Sequence, residues 1–136
     1  MSARDLPLAS TVDLPLSEIL ALAAGTAARV DPQARVEGGV WLSDGCVVRC
    51  GAYLPRGTRL EMDVSVGPNA VFVDAEPGER GTHVMAGARI GAGAVVYAGL
   101  VIGAGARVMP GAVVLRSVAP GATVLAAGAA QAGFRA

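Results

Sequence analysis

The sequence predicts an all-β chain, wound as a parallel β-solenoid from six-residue units. Three observations carry that expectation. An apolar residue returns every six positions, a mostly small residue stands two places before it, and a turn-forming residue stands three places after it. A beat of six matches neither a helix at 3.6 residues per turn nor a plain strand at 2.0.

The apolar series runs Val30, Val36, Leu42, Val48, Leu54, Leu60, Val66 and Phe72, then resumes at Val84, Ile90, Val96, Ile102, Val108 and Val114. Two residues earlier stand small or short side chains, among them Ala28, Ala34, Cys46, Ala52, Ala70, Ala88, Ala94, Ala106 and Ala112. Positions two apart share one face of an extended strand, so each hexad turns one bulky and one small residue inward. Cys46 falls in the small inward slot and reads as a core residue. Three residues after each bulky position come Gly39, Gly45, Gly51, Gly57, Asp63 and Asn69, then Gly87, Gly93, Gly99, Gly105 and Gly111. Gly, Asn and Asp tolerate positive φ, so these are the corners. Three strands and three corners close one triangular coil, and stacked coils make the solenoid. A helical reading fails, because interior glycine costs about 1 kcal/mol each.

Along the chain, residues 1–27 form a lead-in with a short helix expected from an N-cap at Ser17 to a C-cap at Gly25. Residues 28–125 carry the coils, interrupted by "DAEPGERGTH" at 74–83, whose charges and Pro-Gly predict an extruded loop. "LRSVAPGATV" slips the phase, so the last coil is expected to be irregular. Residues 126–136 are a small-residue tail.

At 136 residues this is one domain. Basic and acidic residues balance at 11 each, which argues against a nucleic-acid partner. Two cysteines, Cys46 and Cys50, and one histidine exclude a disulfide scaffold and any recognisable zinc spacing, so no metal is expected. No run approaches 18 apolar residues, and the N-terminus lacks a basic region followed by an apolar stretch. Neither a membrane span nor a signal peptide is read there, and a cytoplasmic protein is expected.

Two stretches carry a family resemblance: "TRLEMDVSVGPNAVFVD" at 58–74 and "GTHVMAGARIGAGAVVYAGLVIGAGARVMPGAVVLRSVAPGATV" at 81–124. The chain resembles the hexapeptide-repeat acyltransferases, which fold as left-handed β-helices, and within them the nucleotide-sugar N-acetyltransferases. That resemblance implies a homotrimer, acetyl-CoA lying between neighbouring subunits, and an acceptor amine or hydroxyl near the extruded loop. Outward valines at 95, 101 and 113 agree with a partner surface. Two departures stand out. "AAGAAQ" at 126–131 lacks the proline of the family's Gly-x-Pro-Ala ending, and "GGVWLSDGCVVRCGAYLPRG" at 38–57 lacks the His and Asn with which relatives touch their acceptor.

Candidate site residues follow. His83, the single histidine, sits outward where the loop rejoins the coils. It is either the general base that deprotonates the acceptor or an exposed loop-end residue; relatives acting on a sugar amine can manage without a protein base. Asp74 stands where relatives carry a polar residue close to the acceptor, and Glu76, Glu79 and Arg80 are loop charges. Arg89 and Arg107 are outward and three hexads apart, which stacks them on one face; a CoA phosphate or an acidic residue of a neighbouring subunit would relieve their repulsion. Ala98, Gly99, Ala104 and Gly105 have the small side chains that let pantetheine approach the backbone, although the turns alone explain the glycines. Trp41 and Tyr53 point outward, to stack on a base or sugar or to cover a subunit interface.

These residues allow an acetyl-CoA-dependent acyltransferase acting on a small amine or hydroxyl, with a nucleotide-linked amino sugar among the acceptors. The alternative is a non-catalytic β-helix serving as scaffold, oligomerisation or binding module. A γ-class carbonic anhydrase shares the fold but needs three histidines around zinc, and one histidine excludes it.

Overall fold

The computed structural model describes residues 28–126, and within them the chain is all-β. The expected helix at Ser17–Gly25 and the tail beyond residue 126 lie outside the described residues. Among the described residues, fifteen two-residue strands are arranged on three faces. The A face stacks β1 (Arg29–Val30), β4 (Val47–Val48), β7 (Ser65–Val66), β10 (Arg89–Ile90), β13 (Arg107–Val108) and β15 (Thr123–Val124). The B face stacks β2 (Arg35–Val36), β5 (Tyr53–Leu54), β8 (Val71–Phe72), β11 (Val95–Val96) and β14 (Val113–Val114). The C face stacks β3 (Trp41–Leu42), β6 (Arg59–Leu60), β9 (His83–Val84) and β12 (Val101–Ile102). All pairings are parallel, and each strand pairs with the third strand on, except that β13 pairs with β15 where the last coil is shortened; this makes a triangular solenoid fitting the left-handed β-helix.

The inward positions behave as the hexad beat demands. Leu54, Val66, Val84, Val96 and Ile102 are fully buried, as are Cys46, Ala52, Ala70, Ala88, Ala94, Ala106 and Ala112 in the small slots. Thr58 and Thr82 take small slots too, and their buried hydroxyls donate to Pro55 O at 2.8 Å and Tyr97 O at 2.7 Å. A buried hydroxyl left unpaired would be costly, so these bonds let a polar residue serve inside an apolar tube.

All eleven expected corners have positive φ, Asp63 and Asn69 included, at 60° and 59°. Gly105 isolates the conformational cost, because its φ is +68° and a Cβ built there would meet nothing within 4 Å. Gly105→Val is therefore expected to destabilise the fold by about 1–3 kcal/mol through backbone strain alone. Gly105→Asn, matching what Asn69 already does, should cost less. Equal denaturant midpoints for the two variants would contradict this ranking.

Two breaks in the beat matter for the site. Strand β8 ends at Phe72 and β9 begins at His83, so His83 already stands in a strand. Leu60 nevertheless pairs in register with Val84, which means the insertion is one whole hexad and preserves the phase. Near the end, Val118 bridges Ile102 through a shortened coil before β15, the irregularity expected of "LRSVAPGATV". Among the described residues no helix is long and apolar enough to cross a membrane.

Candidate active site

On the outer surface of the C face, register places Trp41, Arg59, His83 and Val101 in one column, one rung apart. Neighbouring parallel strands lie about 4.8 Å apart, so adjacent side chains touch. His83 Nε2 lies 2.5 Å from Glu61 Oε2, and both side chains are about one-third exposed, at 33% and 39%. Glu61 is held from three sides. Its N–H donates to Val84 O at 2.8 Å, its carbonyl accepts from Cys46 Sγ at 3.0 Å, and its carboxylate meets the imidazole. Burial pushes the Cys46 thiol above its ordinary value, so it stays a protonated donor.

When Nε2 carries the proton shared with Glu61, Nδ1 is left as the acceptor, the arrangement of a carboxylate-oriented general base. Glu61 was absent from the sequence-derived candidates. A signal existed: if the loop inserts a whole hexad, the residue after Leu60 shares the outer C face with the residue before Val84.

The loop leaves the solenoid at the corner between the B and C faces. With the corner residues beside it, the loop encloses an open cleft of about 590 Å³, lined by Tyr53, Arg56, Asp74, Glu76 and Glu79 among others. Tyr53 Oη donates to Asp74 Oδ1 at 2.9 Å, which fixes the carboxylate over β5. Desolvation first, and then this bond, push the Tyr53 phenol above its ordinary value, so it remains a donor at neutral pH. Glu76 N–H donates to Glu79 Oε1 at 2.9 Å and pins the loop's tip. Gly81 brings the loop back against Gly57, whose backbone would collide with any Cβ there. The carboxylates of Glu37, Asp74, Glu76 and Glu79 outnumber the single Arg56 in this lining, which favours a cationic group such as an ammonium.

Asp74 and His83 are therefore close along the chain but not in contact. Asp74 lines the cleft through its bond to Tyr53, whereas His83 pairs with Glu61 on the C face and lies outside the cleft's lining. Gly57 and Gly81, which close the cleft, each stand two residues before the Arg59 and His83 rungs.

Arg89 and Arg107 are register partners on the A face, both exposed, with Ser65 and Thr123 as the next rungs. Among the described residues neither has a carboxylate partner. Ala98 and Gly99 sit at the corner between the B and C faces, where Gly99 faces Glu79 and the Arg80 carbonyl. Ala104 and Gly105 sit at the corner between the C and A faces. None of these six residues lines the loop cleft or a second cleft of about 400 Å³ near Leu115 and Val118 at the C-terminal coils. In one chain they are spread over the A face and the two corners that flank the C face.

The B face carries an apolar surface. Val71, Tyr97, Val113 and Leu115 are exposed, Leu115 to 64%, with Val73 and Val95 half-buried between them. A monomer rarely exposes such a contiguous patch without a partner for it.

Fold and repeat together make the described residues a β-solenoid of hexapeptide units. Residues 81–116 match the family model described as bacterial transferase hexapeptide (six repeats). The chain is similar in structure to PerB, a perosamine N-acetyltransferase from Caulobacter crescentus solved with CoA and GDP-perosamine, at 27% identity and TM-score 0.57. That match covers 73% of this chain and 51% of PerB. The H141N mutant of the same enzyme gives 26% identity and TM-score 0.50, covering 73% and 50%. Serine acetyltransferase from Neisseria gonorrhoeae shares the fold at 24% identity and TM-score 0.52, covering 75% of this chain and 41% of that one. The chain thus spans about half the length, or less, of these solved relatives. No curated protein matches it in sequence.

Proposed function

We propose that this chain is a subunit of an acetyl-CoA-dependent acyltransferase that modifies an amine or hydroxyl of a small molecule. The observation that carries the reading is the His83–Glu61 pair, beside an extruded loop, on a solenoid similar to a CoA-bound N-acetyltransferase. His83 accepts the proton from the acceptor as its nitrogen or oxygen bonds to the thioester carbonyl carbon. The carbon–sulfur bond then breaks, and the departing thiolate takes the proton back from His83. Glu61 fixes the imidazole's tautomer and rotation and stabilises its protonated form. Asp74, held by Tyr53, draws an acceptor ammonium toward the loop, and the ammonium gives one proton to solvent before the neutral amine attacks.

Acetyl-CoA lies in this reading along a seam between copies of the chain. Ala98, Gly99, Ala104 and Gly105 admit pantetheine to the backbone, and Arg89 and Arg107 answer its phosphates. The scatter of these residues in one chain supports a seam that a second copy completes, and the apolar B face supports a homotrimer. A cytoplasmic setting accords with two free thiols. A nucleotide-linked amino sugar is the acceptor class that the similarity to PerB favours.

Titration with acetyl-CoA tests the reading. Ligand at a hundredfold excess over its Kd is expected to stabilise the fold by about 2.7 kcal/mol, seen as a rise of several degrees in Tm. A Tm unchanged up to millimolar acetyl-CoA would favour the scaffold alternative.

A further inference from the structure

We infer that Trp41 and Arg59 form a subsite for a planar ring carrying an anionic group, the chemistry of a nucleotide. It lies on the outer C face and runs from the His83 rung toward the N-terminal coils. The inference extends the acyltransferase reading, but the contacts behind it stand apart from any acyl transfer.

Trp41 is 49% exposed, although an indole is costly to leave in water. The guanidinium of Arg59, on the next rung, lies 5.8 Å from the centroid of its ring, a cation–π contact that keeps the two side chains together. The nearest carboxylate along the strand, Glu61, is engaged by His83, and Arg59 has no ion pair among the described residues. With no carboxylate among the described residues to neutralise it, the Arg59 guanidinium is available to an anion such as a phosphate. Register then sets the order of groups along the face: ring on Trp41, anion on Arg59, proton transfer at His83. The rungs put the ring about 10 Å from the imidazole.

Two molecules in the proposed reaction could supply such a ring: a nucleotide-linked acceptor, or the adenosine end of CoA. The short span from ring to base favours the acceptor, because the pantetheine arm of CoA carries its adenine much farther from the thioester.

Trp41 is the single tryptophan of the chain, so its fluorescence reports this subsite directly. The probes are UMP, GMP, the corresponding nucleosides and inorganic phosphate, each added to the full chain. Saturable quenching by a nucleotide is expected, with the nucleoside binding at least tenfold more weakly and phosphate alone leaving the emission unchanged. Arg59→Gln should weaken the nucleotide about tenfold or more and leave the nucleoside unaffected, while Arg59→Lys recovers part of the loss. Unchanged Tm values would certify that these variants fold.

Quenching that persists in saturating CoA assigns the subsite to the acceptor; competition by CoA assigns it to the adenosine end. The inference is overturned if no nucleotide quenches at millimolar concentration, or if nucleotide and nucleoside bind alike. Stabilisation by acetyl-CoA without nucleotide quenching would sink the subsite alone. Quenching without that stabilisation would sink the transferase reading alone.

Discussion

Replacing His83 with alanine is expected to lower kcat for acyl transfer on the order of 10²-fold, with little change in the KM for acetyl-CoA. General base catalysis by a positioned imidazole contributes about 10²–10⁴-fold, and 10² corresponds to about 2.7 kcal/mol of barrier. The lower end applies because an amine acceptor loses its proton readily once attack has begun. An effect on kcat without one on KM is what loss of a transition-state interaction produces. Glu61→Gln tests the other half of the pair. Its amide can still accept from Nε2 but carries no charge to stabilise the protonated ring, so a smaller loss in kcat is expected. A loss below about threefold for His83→Ala would remove the imidazole from the mechanism, and the pair would then be a surface contact.

The largest structural effect is expected at Phe72. It is the largest fully buried side chain among the described residues, 1% exposed, and it stacks in register with Val96. Phe72→Ala should cost about 3–5 kcal/mol, a large part of the 5–15 kcal/mol that holds a typical domain folded. The tube cannot collapse around the hole, because each coil's width is set by its three strands and corners and not by its side chains. Phe72 also closes the last strand before the loop. In a solenoid each coil touches only its neighbours, so the loss should loosen the loop's base and separate the N-terminal coils from the rest. A lower denaturant midpoint, with faster amide exchange around residues 70–73 and 83–85, is the expected readout. A change below about 1 kcal/mol would mean that the core repacks.

The fold was legible because each hexad repeats one local rule. Bulky Leu60, small Thr58 and turning Asp63 have fixed roles whatever the neighbouring coil contains, so the faces and corners follow from counting. The candidate site was legible only in part. His83 and Asp74 were visible as chemically apt residues next to a break in the beat. Their separation was not, since it depends on Tyr53 capturing Asp74 from the B face. Glu61 was missed because a loop hides how the coils on either side of it align. Arg89 and Arg107 fell in register as the spacing required, because no insertion lies between them.

By itself, then, the sequence determined which side chains point in, which point out, and where the backbone must bend, since those are properties of six consecutive residues. Tertiary structure decided which outward residues become neighbours. Contact across rungs depends on the number of residues between two strands, and the loop before His83 adds one whole hexad to its coil. That length sets His83 beside Glu61 and Arg59. An insertion out of phase would have faced the imidazole elsewhere, with every local rule still obeyed.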